Sequence, residues 1–233
     1  MTNYKILAIV ACVAMAMGMA AQTSPWSYGI QAGVTAHTTT GSLIDNFKGC
    51  VGFTAGLTAD YNRLRLKADV TYGQPSFKNQ NMYHVLDAKG RDAQLNAVAN
   101  ASHLGASAQV GYTVARLGRV SLTPAAGLYY SRYSWRLNDI EWDTDEQGVD
   151  YFKVTDTRHT SQGRVSWIAS VDVDIRLHDA YTDVLGPQQR LRSSLRITPW
   201  VTSIRHKRVV PSVSGLQLGV NVTYSGLLSN IVD

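Results

Sequence analysis

The sequence predicts an all-β chain, an eight-stranded antiparallel up-and-down transmembrane β-barrel. Three observations predict it: apolar and polar residues alternate with a period of two through eight segments, the polar face is built mostly from small uncharged side chains, and short connections take turns with long ones.

The alternation defines the strands in order. In the first, Tyr28, Ile30, Ala32 and Val34 share one face and Gly29, Gln31, Gly33 and Thr35 the other. The second alternates from Val51 to Tyr61, the third from Leu64 to Tyr72, the fourth from Leu104 to Val114 and the fifth from Val120 to Ser131. The sixth runs from Val165 to Arg176, the seventh from Leu191 to Val201 and the eighth from Leu216 to Tyr224.

A soluble barrel would show the same period with its apolar residues inward. The polar face argues for the opposite sense. It carries mainly Gly, Ser, Thr, Gln and Asn, where a water-washed sheet would carry many Lys and Glu, and small polar side chains suit the crowded interior of an eight-stranded barrel. The aromatics of the apolar face also sort into two levels. Up-and-down threading puts Tyr28, Tyr61, Tyr112 and Tyr224 near one rim and Phe53, Tyr72, Tyr130 and Trp167 near the other, where a bilayer has its interfaces.

Asn62-Arg63 and Leu117-Gly118-Arg119 are tight turns, whereas the connections after the first, third and fifth strands are long, the third running from about Gln74 to Asn100. Membrane barrels have this asymmetry of short turns on one side and long loops on the other. The connection from His178 to Gln189 is long for the short-turn side. Pro124 and Pro199 each remove a ladder donor and should mark bulges or irregular rims.

Composition agrees. Only 17% of the 233 residues are charged, against about 25% in soluble domains, yet nothing after the N-terminal run is apolar for the roughly 20 residues that a spanning helix needs. Residues 1–21 read as a signal peptide: Lys5 precedes the apolar run Ile6 to Met15, and Gly18-Met19-Ala20-Ala21 offers the cleavage site. Residues 22–233 then form one barrel domain, with Cys50 its single cysteine and no internal disulfide within reach. The net charge of +5 is spread over many segments of an exported chain, which excludes nucleic acid as a partner class.

These residues resemble the small outer-membrane barrel families of the OmpX and OmpA-barrel type and the PorT-like group, over nearly the whole mature chain. The resemblance implies a bacterial outer-membrane location, contact with outer-membrane lipid and lipopolysaccharide, insertion by the outer-membrane assembly machinery, a protein partner at the external loops and no cofactor. The chain departs from these families at its end. Leu227 to Asp233 holds no terminal aromatic, so either Tyr224 stands in or the last strand runs longer.

The candidate site is the interior. Asp60, Arg65, Lys67, Asp69, Asp172, Asp174, Arg176, Arg192 and Arg196 all fall on the polar face, on strands that neighbour one another, and charges buried in a narrow lumen must pair. The expectation is a salt-bridge plug with no open pore. A basic run, Arg205, His206, Lys207 and Arg208, suits contact with lipopolysaccharide phosphates or an acidic partner. The segment from about Asn138 to Gly163 reads as an acidic loop, in which Asp143 to Gly148 opens like a calcium loop but lacks its closing bidentate Glu.

An enzyme reading competes. His159 and Ser161, with Asp172 and Asp174 downstream, have a spacing similar to that of outer-membrane lipid A deacylases, but both acids alternate onto the inner face, away from lipid. No catalytic residue, no Cys/His metal set and no Gly-rich phosphate loop is therefore predicted. The expected role is structural or surface interaction: envelope stability, binding, or service to an export machine.

Overall fold

The computed structural model describes residues 26–41, 47–77, 82–86, 92–96, 98–144, 146–148, 150–182, 189–206 and 213–230. The signal-peptide reading of residues 1–21 and the basic residues Lys207 and Arg208 lie outside them. Eleven strands follow one another: β1 (Ser27–Thr39), β2 (Phe47–Tyr61), β3 (Leu64–Phe77), β4 (Met82–Leu86), β5 (Asp92–Asn96), β6 (Val98–Tyr112), β7 (Ala115–Leu117), β8 (Val120–Thr144), β9 (Asp150–Thr182), β10 (Gln189–His206) and β11 (Val213–Asn230).

Eight of these positions in the ladder close a barrel. Each main strand pairs antiparallel with its neighbour in the order β6, β3, β2, β1, β11, β10, β9, β8, and a β6 to β8 pairing seals the ring. The short β7 continues the line of β6 after a break at Thr113-Val114 and pairs with the start of β8. The remaining two, β4 and β5, form a small separate hairpin within the long third connection. Closure leaves the ring without a sheet edge, which is what a bilayer demands of a strand structure.

The turns follow local chemistry. Tyr61 pairs with Leu64 across the two-residue turn Asn62-Arg63, where Asn62 takes the left-handed φ of 56° that asparagine tolerates. Gly118, at φ 58°, does the same between β7 and β8. Both turns lie at the end of the barrel where β1 begins and β11 ends, since Ser27 pairs with Ser229.

Polarity is inverted relative to a soluble fold. Phe53 is 72%, Leu128 63% and Val70 53% exposed on the outside, while Arg196 is 1% exposed and Thr202 and Gln217 are fully buried inside. A wall of Leu, Val and Ile facing outward around a polar interior has only one comfortable solvent, hydrocarbon. Aromatics mark the edges of that wall. Tyr61 and Tyr112 flank Leu64 at the short-turn rim, and Phe53 pairs with Tyr72 toward the other.

Three sequence expectations need correction. β8 and β9 do not stop near the bilayer: they run 25 and 33 residues, and their ladder continues from Ser131 opposite Arg164 to Thr144 opposite Asp150. The acidic stretch read as a loop is therefore mostly a two-stranded ribbon standing above the barrel. Beyond the hydrocarbon layer neither face is held to an apolar composition, so the contrast by which alternation is recognised fades. The connection read as His178 to Gln189 is shorter, because β9 continues to Thr182, which pairs with Gln189. The prolines sit at ladder gaps while the register shifts occur elsewhere, between Ser193 and Ser194 and between Asp139 and Ile140. Pro124 lies where β8 changes partner from β6 to β7, and Pro199 in the gap between the Ile197 and Trp200 pairings with β9. Of the two alternatives for the last strand, the longer run is the one seen: β11 extends past Tyr224 to Asn230.

Candidate functional site

The interior is layered. Nearest the short-turn end lies a rim of arginines. Arg190 donates to Asp179 at 2.8 Å, Arg176 approaches the same carboxylate at 3.5 Å and Arg192 at 3.9 Å. These three, with Arg116 and Arg119 from the turn around β7, line a pocket of about 230 Å³ whose floor includes Asp60, Arg65, Asp174 and Arg196. Among the described residues, three of these cations thus share the Asp179 carboxylate, while Arg116 donates to the Asn62 carbonyl at 2.6 Å.

Deeper, the charges pair closely. Arg65 grips Asp60 with two parallel bonds, Nε to Oδ1 at 2.9 Å and Nη2 to Oδ2 at 3.0 Å, and donates through Nη1 to Asp174 at 2.6 Å. The same Nη1 lies 3.3 Å from Asp172. Arg196 donates through Nε to Asp174 at 2.6 Å and through Nη1 to Gln31 Oε1 and to Thr58 Oγ1, the last at 3.2 Å. Lys67 donates to Asp172 at 2.7 Å and stands 4.0 Å from Asp69, whose other partner is the Gln31 amide. Thr198 adds a hydroxyl to Asp172 at 2.8 Å. Bidentate arginine bonds of this kind are strong and directional, so the network fixes β1, β2, β3, β9 and β10 to one another across the bore.

Above the charges the bore is filled by neutral groups. Ser170 donates to Gln109 at 2.6 Å, and Asn221 accepts from both Thr35 at 2.7 Å and Trp200 Nε1 at 2.9 Å. The space left among Asp69, Gln109, Tyr129, Trp200 and Asn221 is about 10 Å³, room for a single water at most.

Toward the long loops the lumen becomes aromatic. Tyr129, Ile168 and Trp200 pack together. His37, Cys50 and His103 gather against them, all buried. The sequence shows no Cys/His metal set, yet the fold places these three residues, from β1, β2 and β6, with their ligating atoms within 4.8 Å of one another.

The predicted residues divide accordingly. Asp60, Arg65, Lys67, Asp69, Asp172, Asp174 and Arg196 meet in one network. Arg176 and Arg192 face the same lumen but lie at the rim around Asp179, away from that network. Sequence reasoning missed Gln31, Thr58 and Thr198, neutral members whose only signal is that they share the inner face with the charges. It missed Asp179, which fell in the segment read as a connection, and Arg190, which fell between that connection and the strand read from Leu191. Arg205 and His206 end β10 at the long-loop side, opposite Ser214 and Val213.

The proposed triad does not assemble. His159 and Ser161 are exposed on the ribbon, where Arg132 donates to Ser161 at 3.0 Å. Asp172 lies eleven positions further along the same strand, about 36 Å away at 3.3 Å per residue, locked in the ion network.

No family model matches the chain, and no curated protein does. Similar solved structures include three outer-membrane or surface proteins. Ail, the attachment invasion locus protein of Yersinia pestis, in complex with the heparin analogue sucrose octasulfate, is 11% identical with a TM-score of 0.45, covering 87% of this chain and 98% of that one. Neisserial surface protein A is 14% identical with a TM-score of 0.43, covering 88% and 97%. A major outer membrane protein from Thermus thermophilus is 12% identical with a TM-score of 0.46, covering 87% and 99%. Independently of these likenesses, the sheet is closed, its outer wall is apolar between two aromatic edges, its interior is ion-paired, and its turns are short at the end where β1 begins and β11 ends. That combination is the build of a membrane-spanning barrel: the chain is a small, closed, eight-stranded antiparallel β-barrel whose outer wall is made for lipid.

Proposed function

We propose that the protein is a non-enzymatic, closed-bore barrel that serves the envelope through structure and interaction rather than through transport. The observation that carries this reading is the ion-paired interior, in which Arg65 and Lys67 on β3 reach carboxylates of β9 across the bore and Arg196 ties Asp174 to Gln31 and Thr58. An ion entering this bore would have to displace buried, hydrogen-bonded pairs, and breaking such a pair costs several kcal/mol. Reconstituted in planar bilayers, the protein should show no stable conductance. A reproducible, ion-selective channel would overturn the proposal.

Binding then falls to the two ends. The short-turn end faces the periplasm in barrels of this build, and there the surplus of arginines around Asp179 suits a polyanion of the envelope. Guanidinium groups bind phosphate and carboxylate in a fixed fork geometry. Inorganic pyrophosphate should raise the thermal unfolding midpoint of the folded barrel in detergent. The double variant Arg190→Gln/Arg192→Gln should bind it at least about tenfold more weakly, since each lost charge-assisted bond is worth roughly 1.5–3 kcal/mol. Equal binding by wild type and variant would remove the mouth from the interaction reading. At the other end the ribbon of β8 and β9 exposes Glu141, Glu146 and Asp150 around its tip, a surface for a basic partner.

A further inference from the structure

We propose that His37, Cys50 and His103 form a binding site for a thiophilic metal ion of the Zn²⁺ or Cu⁺ class, set in the lumen beneath the external loops. His37 on β1 and Cys50 on β2 are direct cross-strand partners on the inner face. His103 comes from β6, with β3 between it and β2. What lets the thiol reach across β3 is a missing side chain. Gly73 on β3 is the direct partner of His103, and a Cβ placed there would lie 2.5 Å from Cys50 Sγ. A second glycine, Gly219, pairs with both His37 and Trp200, and its bare backbone lets the indole lean over the imidazole at a centroid distance of 5.6 Å.

A cross-strand His-Cys pair alone would be ordinary packing. Two further features point to a ligand. His37 is only 7% exposed, and its Nε2 has no hydrogen-bond partner among the described residues. An orphaned buried nitrogen is costly, and a metal bond to its lone pair would satisfy it. His103, by contrast, is held: its Nε2 lies 3.1 Å from Ser131 Oγ and 3.4 Å from the Tyr129 hydroxyl, and its ring sits 4.6 Å from that of Tyr133. Outer hydrogen bonds of this kind orient a ligating imidazole.

The donor set names the ion class. One thiolate and two imidazoles are soft to borderline donors, which select zinc or copper and reject calcium and magnesium. Metal-to-donor bonds of about 2.0–2.3 Å hold the donors roughly 3.5 Å apart, so closing from the observed 4.8 Å needs side-chain rotation of about an ångström. On binding, the Cys50 thiol releases its proton to water and the sulfur binds as thiolate. The ion would tie β1, β2 and β6 together, a cross-link available to an exported chain whose single mature cysteine has no partner for a disulfide.

The test uses the untagged, refolded full barrel in detergent, titrated in one arm with Zn²⁺, using Co²⁺ as its spectroscopic substitute, and in the other with Cu⁺ against a chromogenic chelator. One equivalent of one of the two ions should bind. It should slow alkylation of Cys50 at least tenfold, and in the Zn²⁺ arm Co²⁺ should produce a thiolate charge-transfer band. Cys50→Ser and His37→Gln should each weaken binding at least tenfold while keeping the heat-modifiable mobility of a folded barrel. If either variant fails to fold, alkylation protection in the wild type and the remaining variant decide. Substoichiometric binding of both ions, or binding that survives Cys50→Ser unchanged, would overturn the site.

Discussion

Arg196→Met is expected to lower the unfolding free energy of the barrel by about 3–5 kcal/mol, the cost of stripping one partner from a buried ion pair. Arg196 is the more deeply buried of the two network arginines, bonded to Asp174, Gln31 and Thr58 at 1% exposure. Its loss leaves Arg65 and Lys67 to balance Asp60, Asp69, Asp172 and Asp174. The volume change is small, so the effect is electrostatic rather than a packing loss. Arg196→Lys should recover part of the stability, since the charge returns without the fork that reaches several acceptors at once. Arg196→Met combined with Asp174→Leu should recover more, because removing both members of a buried pair leaves no naked charge. Urea titration in lipid vesicles, read by tryptophan fluorescence, measures all three. A loss under about 1 kcal/mol in the single variant would mean that water solvates these groups, and the closed bore would fall with the plug.

How far such a network can be read from a sequence depends on which geometry is asked for. The period-2 alternation assigns a face, and it puts Asp60, Arg65, Lys67, Asp172, Asp174 and Arg196 inside. It carries no information on height or on partners across the bore. Arg65 and Asp174 are 109 positions apart, and Arg196 and Gln31 are 165 apart. Their meeting depends on strand tilt and stagger, which a barrel fixes only when it closes. Arg176 and Arg192 show the consequence, since parity places them on the inner face while their depth places them at the rim.

Strand ends are the least legible. Beyond the hydrocarbon layer the outer face no longer needs to be apolar, so the contrast that reveals a strand fades although its ladder continues. The ribbon of β8 and β9 escapes the sequence for this reason. So does the cluster of His37, Cys50 and His103. The alternation of the first strand reads only to Thr35, and that of the second and fourth begins at Val51 and Leu104, one residue past Cys50 and His103. A register of several strands is needed to bring residues 13 and 53 positions apart to one place.

The outer wall gives the second large effect. Ala68→Arg should cost about 2–4 kcal/mol of folding stability in lipid, and Leu64→Arg on the same face of the same strand only about 0–1 kcal/mol. Ala68 is exposed on β3, between Leu57 of β2 and Ala108 of β6. It lies four positions from Leu64 at one aromatic edge and four from Tyr72 at the other, and so near the middle of the hydrocarbon. A guanidinium there must be dragged from water or must thin the bilayer around it, whereas at Leu64 it snorkels to the headgroups beside Tyr61 and Tyr112. Side-chain size is controlled by Ala68→Leu, which adds apolar volume toward lipid and should not destabilise the barrel. Were the wall washed by water instead, both arginines would be surface substitutions worth within about 0.5 kcal/mol. Equal costs at the two depths would therefore show that the apolar face does not meet lipid, and only the depth-dependent difference is compatible with a barrel whose wall spans a bilayer.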